Sequence, residues 1–321
     1  MLKVGVPDAV DSDLHRLLPA GISLEIIPLR PERTVEVEFW IAPPWTGQAE
    51  RMLPFLRGLR VVQATVAGVD GLLKFIPPDV TLCDARGVHN ISTAEWAVAA
   101  ILASTKYFPL FDDLRHGGVW ARRKEAEDRY YTLHPSGRRL YPNVLCEELH
   151  GQRVLIVGYG AIGRAIEQRL EPFGVDFVRI ARTARDGVFG VDKLADLLPA
   201  ADVVVLIVPF TSETTHMIGE RELGLMKQGA LLVNAARGPV VNTDALVAAL
   251  QAGHIRAAVD VTDPEPLPDG HPLWSSPNLL ITPHIASSTP QFMVRAMELA
   301  AAQIGRYLRG EPLENVVTGD Y

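Results

Sequence analysis

The run Val154–Ile166, VLIVGYGAIGRAI, decides how this chain is built. Four apolar residues lead into Gly158, Gly160 and Gly163, spaced G-x-G-x-x-G, and an amphipathic segment follows. The glycine spacing alone recurs by chance in loops. Between an apolar strand and a helix start it is the signature of a dinucleotide site. Gly158 is expected to allow the tight turn, Gly160 to let a pyrophosphate approach the backbone, and Gly163 to let the helix lie close on its strand. The free amides at the helix start, around Ala161 and Ile162, then face the phosphates.

Downstream of this turn the pattern alternates strand and helix. The apolar runs VDFVRIA, DVVVLIVP, ALLVNAA, IRAAVDV and NLLITPHIA read as strands, and the segments around KLADLLPAA, GERELGLMKQG and NTDALVAALQAG as helices. Continuous apolar strands separated by helices imply a parallel, doubly wound α/β sheet. Upstream, LKVGVP, SLEIIPL, EVEFWIAP, the start of LRVVQATVAGVDGLL, and VTLCDA read as shorter strands. The stretch Ser92–Arg115 reads as one long helix, capped by Ser92 or Thr93 with Glu95 in its first turn. Residues 116–150 read as an irregular connecting excursion. The tail from Pro290 to Gly310 reads as an amphipathic helix able to fold back on the first part.

A length of 321 residues suits two domains. The net charge of −7 argues against an electrostatic nucleic-acid binder, and the short basic run Arg122–Lys124 is followed at once by acidic residues. Cys83 and Cys146 form neither a CxxC pair nor a disulfide framework, as in a reduced cytoplasmic protein, and no metal site is expected. The start of the chain lacks a signal-peptide pattern, and the longest apolar run, Val203–Val208, is far short of a membrane span. No partner membrane is expected.

The second strand of the glycine-turn unit selects the cofactor. An NAD site places Asp or Glu at its end, about 20 residues on, for the ribose 2′-hydroxyl. Here the strand ends Ala181-Arg182-Thr183, and Asp186 falls in the loop beyond. An arginine and a hydroxyl suit a 2′-phosphate, so NADP is the expected cofactor, with NAD possible.

A second question comes from VNAARGPVVN, Val233–Asn242. An apolar strand ends by presenting Arg237, with no charged partner nearby in sequence and a Gly238-Pro239 step that prevents a helix. At the carboxyl edge of a parallel sheet, where such folds bind ligands, a planar arginine suits an anionic ligand.

The motifs GYGAIG, VPFTSETTHMI, LLVNAARGPVVNTDAL, AAVDVTDPEPLP and LLITPHIA occur in that order. As a set they closely resemble the D-isomer-specific 2-hydroxyacid dehydrogenase family, and the ending of the second strand resembles its glyoxylate and hydroxypyruvate reductase branch. The resemblance implies two doubly wound parallel-sheet domains, a Rossmann-type cofactor domain (94–286) inserted into a flavodoxin-like substrate domain (1–93 and 287–321). It implies catalytic roles for Arg237, Glu265 and His284. It implies cofactor contacts at Val208, Pro209, Thr214, Ala235, Ala236, Asp260 and Ala286, beside the glycine turn and Arg182 and Thr183. It implies that Val66, Ala67 and Gly68 of VAGVD hold the substrate carboxylate with Arg237; Val66 departs from the commoner family pattern there. The implied activity is hydride transfer between NAD(P)H and a small 2-keto or D-2-hydroxy acid, and the implied assembly is a homodimer. The chemistry agrees. A histidine is the natural proton donor near neutral pH, and a carboxylate beside it favours its charged form. Two other readings stay open at this point: a dinucleotide-sensing corepressor-like scaffold with little activity, and a formate- or phosphite-type dehydrogenase using NAD.

Overall fold

The computed structural model describes residues 1–135 and 138–318. Contacts divide the chain into two compact units, Met1–Asn90 with Ser288–Tyr321, and Ile91–Ser287. The terminal residues 319–321 of the expected substrate domain, and Ser136 and Gly137 of the expected excursion, lie outside the described residues.

The first unit contains β1 (Leu2–Pro7), β2 (Ile22–Ile27), β3 (Val35–Glu36), β4 (Phe39–Ile41), α1 (Thr46–Met52), β5 (Leu56–Arg57), β6 (Val61–Gln63), α2 (Asp70–Leu73) and β7 (Thr81–Cys83). Five strands form a parallel sheet in the order β2-β1-β4-β6-β7. Counted within the sheet this is 2-1-3-4-5, the flavodoxin-like doubly wound order. Alternation of side chains across each strand supplies two cores. Phe39, Ile41, Val61 and Cys83 meet Met297, Ala300 and Ile304 of the C-terminal helix Phe292–Leu308. Trp40, Val62 and Leu82 meet Ala49 and Met52 of α1 and Leu72 of α2. The single strand expected over EVEFWIAP starts later, at Phe39; the two residues of β3 pair instead with β5 in a separate ladder.

The second unit contains α3 (Asn90–Thr105), α4 (Phe108–Gly117), α5 (Glu125–Leu133), β8 (Arg153–Val157), α6 (Ala161–Leu170), β9 (Asp176–Ala181), β10 (Phe189–Gly190), α7 (Leu194–Leu197), β11 (Val203–Leu206), α8 (Glu220–Leu225), β12 (Leu231–Asn234), α9 (Thr243–Gln251), β13 (Arg256–Val259) and β14 (Leu279–Ile281). Seven parallel strands lie in the order β10-β9-β8-β11-β12-β13-β14. Within the sheet this is 3-2-1-4-5-6-7, the Rossmann order with one strand added. Val154, Ile156, Val203, Val205, Leu231 and Val233 face α3 and α6. Leu155, Val157, Val204, Leu206 and Leu232 face the layer that holds α8 and α9. Both faces are covered, which is why these strands read as continuous apolar runs.

Two expectations need correction. The long helix over Ser92–Arg115 is two helices, α3 and α4, and α3 starts at Asn90, so Ser92 and Thr93 lie inside it and are buried rather than capping it. The break falls at Tyr107, which is left-handed (φ 55°), just ahead of Pro109, whose missing amide suits a first helical turn. The excursion 116–150 is also partly helical, through α5 and a short 3₁₀ turn at Trp120–Lys124. It is anchored by buried charge. Glu147 meets Arg256 at 3.1 Å, both nearly buried, and accepts a 2.5 Å hydrogen bond from the Tyr107 hydroxyl. Burial alone would raise the Glu147 carboxyl. The His134 ring 3.7 Å away, the charge of Arg256 and the Tyr107 hydroxyl together hold it below its ordinary value. Among the described residues no helix is long and apolar enough to cross a membrane.

Candidate functional site

In the second unit the residues singled out from sequence gather at one edge of the sheet. The glycine turn follows β8, Arg182 and Thr183 follow β9, and Val208–Thr214 follow β11. Ala235–Arg237 follow β12, Asp260 and Glu265 follow β13, and His284 and Ala286 follow β14. These are the carboxyl ends of parallel strands, and the order reverses between β8 and β11, the crevice where such sheets bind ligands.

The glycine turn has the geometry a dinucleotide requires. Gly158 is at φ 103°, and a Cβ there would lie 2.5 Å from the Ile207 carbonyl oxygen. Gly163 also lies near the turn and strand, less tightly, its Cβ position 3.0 Å from the Gly158 carbonyl oxygen and 3.2 Å from Ile156. Gly160 caps α6, and a Cβ there would meet only the Gly158 carbonyl, at 3.9 Å. The open ground over Gly160, at a helix N-terminus, fits a pyrophosphate. A pyrophosphate there would be held by the amides around Ala161 and Ile162.

Arg182 is exposed and its Nε lies 3.8 Å from the Glu213 carboxylate. Sequence reasoning missed Arg185, which donates to the Tyr159 carbonyl inside the glycine turn at 2.7 Å and lies over the Tyr159 ring. Its only sequence signal was a second basic residue near the strand end. Thr214 is buried, and its hydroxyl is committed to its own loop, accepting from the Thr211 amide and donating to the Pro209 carbonyl. It shapes the loop that carries Val208 and Pro209.

Arg237 stands where the chain leaves β12, partly buried, with Nη1 on the Ala236 carbonyl. Buried Asn234 pins this turn from both sides, accepting from the Ala236 amide and donating to the Arg237 carbonyl, both at 3.0 Å. Gly238 follows with its Cβ position pressed on the Thr262 carbonyl, so no side chain fits there. That approach brings the end of β12 against the loop after β13, which carries Glu265.

Glu265 and His284 meet directly. Nδ1 of His284 is 2.6 Å from Oε1 of Glu265. The ring nitrogen that touches a carboxylate carries its hydrogen, which leaves Nε2 as the nitrogen available to a ligand. The hydrogen bond donated to Glu265 raises the His284 pKa above its ordinary 6.5 against the opposing effect of burial; the Glu265 charge adds to this, Arg237 works against it and Asp260 supports it. The same bond lowers Glu265 below its ordinary 4.5, with Arg237 acting in the same direction. Arg237, Glu265 and His284 are thus within electrostatic reach of one another. The raised histidine contributes fully below pH 6.5 and loses its contribution as pH rises through its folded value; the lowered carboxyl contributes fully above pH 4.5 and loses it as pH falls through its own.

His284 is itself left-handed, at φ 55°. Asp260 holds it there. Its backbone carbonyl accepts from the His284 amide at 2.7 Å, and its carboxylate accepts from the Ile285 and Ala286 amides at 2.8 Å each. The sequence resemblance implied a cofactor contact for Asp260 and Ala286. The structure commits the Asp260 carboxylate to the loop that carries His284. In the first unit, Val66, Ala67 and Gly68 form the loop after β6, partly buried, with the Val66 carbonyl accepting from the Ala85 amide.

Residues 98–286 match the family model described as the NAD binding domain of D-isomer specific 2-hydroxyacid dehydrogenases. The chain belongs to the D-isomer specific 2-hydroxyacid dehydrogenase family. Its relatives include a glyoxylate reductase of Thermofilum pendens, 38% identical over 70% of this chain and 64% of that one. Another is a glyoxylate reductase of Thermococcus gammatolerans, 34% identical over 79% and 74%. The crystal structure of a D-isomer specific 2-hydroxyacid dehydrogenase from Xanthobacter autotrophicus, in complex with NADPH and MES, is 29% identical with a TM-score of 0.76 and covers 98% of each chain.

Proposed function

We propose that this family member is a reductase of small 2-keto acids of the glyoxylate or hydroxypyruvate type, working with NADPH in preference to NADH. The observation that carries this is the 2.6 Å pair of His284 with Glu265, within electrostatic reach of Arg237, at the sheet edge that bears the glycine turn. The nicotinamide, when bound, supplies the hydride for the carbonyl carbon. Arg237 binds the substrate carboxylate with its planar fork and polarises the ketone oxygen. Charged His284, kept so by Glu265, delivers its Nε2 proton to the oxygen. In the reverse direction the neutral ring, with its hydrogen on Nδ1, takes the proton back at Nε2.

The glyoxylate reductase relatives support the substrate class, and the NADPH complex of the Xanthobacter neighbour supports the cofactor choice. Arg182→Asp is expected to lower the ratio of kcat/KM for NADPH over NADH about 10-fold or more, since a charge-assisted bond is worth about 1.5–3 kcal/mol. An unmoved ratio would take Arg182 out of the 2′-phosphate role. The function itself is tested by following NADPH and NADH absorbance with a panel of 2-keto acids. Turnover of the smallest members supports the reading. Tight cofactor binding with no turnover on any of them would favour a sensor role instead.

Glu265→Gln tests the pairing. Reduction needs charged His284, so activity falls as pH rises through its pKa. Without the carboxylate charge that pKa drops, and the alkaline limb of kcat/KM moves to lower pH. An alkaline limb that stays in place would separate Glu265 from the proton donor.

We expect a homodimer in the cytoplasm. Trp120, Leu140 and Tyr141 of the excursion are exposed apolar side chains that a second copy would cover, and light scattering of the purified protein decides the mass.

A further inference from the structure

A chain of hydrogen bonds runs behind His284 that the reaction as described does not use. The Trp96 indole, on α3, donates Nε1–H to the Thr282 hydroxyl at 3.0 Å. Thr282 donates to the Asp260 carboxylate at 2.6 Å. That carboxylate also accepts the amides of Ile285 and Ala286, the two residues that follow His284. The direction of the chain is fixed by chemistry. An indole N–H only donates, so it occupies a lone pair of the threonine oxygen and leaves its single hydrogen for Asp260. Hydrogen bonds aligned in this way strengthen one another.

We infer that Trp96 is a positioning residue for the proton donor, acting through Thr282 and Asp260 on the loop that carries His284. The loop needs such support. A non-glycine residue at φ 55° is in a costly conformation and persists only when its surroundings hold it. His284 is held on its ring side by Glu265 and on its backbone side by Asp260, and Trp96 is the far anchor of the second hold. Trp96 is partly buried against the core beneath α3, so its indole is fixed by packing as well as by the bond. With the indole N–H removed, the Thr282 hydrogen is free to turn to another acceptor. The Asp260 carboxylate then loosens, and the imidazole loses its register with the ketone oxygen.

The role in turnover rests on the reductase reading, so the test uses two readouts. In Trp96→Phe, which keeps an aromatic ring, kcat for keto-acid reduction is expected to fall about 5- to 10-fold while KM stays within about twofold, because misplacing a proton donor costs the chemical step and not binding. The alkaline limb of kcat also moves to lower pH, since His284 feels Glu265, Arg237 and Asp260 and its contact with the first of these loosens. Independently of activity, the amides of Ile285 and Ala286 are expected to exchange with solvent several-fold faster, because their acceptor is less firmly held. Thr282→Val reproduces both effects, and Thr282→Ser, which keeps the hydroxyl, retains most of what Thr282→Val loses. Unchanged exchange in both Trp96→Phe and Thr282→Val overturns the tether. Faster exchange with unchanged kcat and pH profile overturns the role in positioning the proton donor. A wild-type protein inactive on every keto acid sinks the reductase reading alone, and the exchange rates still decide the tether.

Discussion

His284→Ala lowers kcat for keto-acid reduction by about 10²- to 10⁴-fold, the usual contribution of a positioned general acid. The side chain is a titratable proton source at the sheet edge that carries the cofactor turn. Its Nδ1 is committed to Glu265, so no tautomer shift lets a different nitrogen replace Nε2. The loss belongs in kcat, because the substrate carboxylate is bound by other groups. NADPH affinity, read by fluorescence titration, stays near wild type, since the glycine turn after β8 is untouched. A variant with near-normal kcat would remove His284 from proton transfer, and weakened NADPH binding would point to a collapsed loop instead.

Arg237→Gln is expected to lower kcat/KM by about 10²- to 10⁴-fold, through both KM and kcat. Two charge-assisted hydrogen bonds to a carboxylate are worth about 1.5–3 kcal/mol each, and polarisation of the ketone adds in the transition state only. Arg237→Lys keeps the charge and loses the fork, so it falls between the two. The variant has a second consequence with a definite sign. The Arg237 charge opposes protonation of His284 and helps to keep Glu265 ionised. Removing it lets the His284 pKa rise, and whatever activity remains extends to higher pH. Steady-state kinetics with varied keto acid checks both effects. A KM and kcat like those of the wild type would place the substrate carboxylate elsewhere.

The parts of this fold that could be read from sequence are those where one physical demand dominates. The strands of the second unit are buried on both faces, so Val203–Leu206 and Leu231–Asn234 had to be apolar throughout. The glycine turn was legible because a Cβ at Gly158 has no room beside Ile207. The break at Tyr107 was not legible, although Pro109 stands beside it. A proline is tolerated in a first helical turn, and what fixes the bend is the buried Glu147, 40 positions away, with Arg256 behind it. β10 is only two residues long and carries no periodicity to detect. The site divides in the same way. Arg237 stands out as a charged residue at the end of an apolar strand, and the family resemblance marks Glu265 and His284. Asn234, Thr282 and Trp96 do not stand out, because each acts by holding a neighbour and that neighbour is set by tertiary contact. The family resemblance implies a cofactor contact for Asp260, and its carboxylate also accepts the amides of Ile285 and Ala286.

This chain is expected to transfer a hydride to the carbonyl carbon of a 2-keto acid and to set the D configuration there. The direct measurement is to reduce hydroxypyruvate or pyruvate with NADPH deuterated at both C4 positions, and to analyse the product by mass spectrometry and chiral chromatography. The expected product is a D-2-hydroxy acid carrying one deuterium at C2, formed by the wild type and lost with His284→Ala. An L product, a product without the label, or no product from any small 2-keto acid would contradict it.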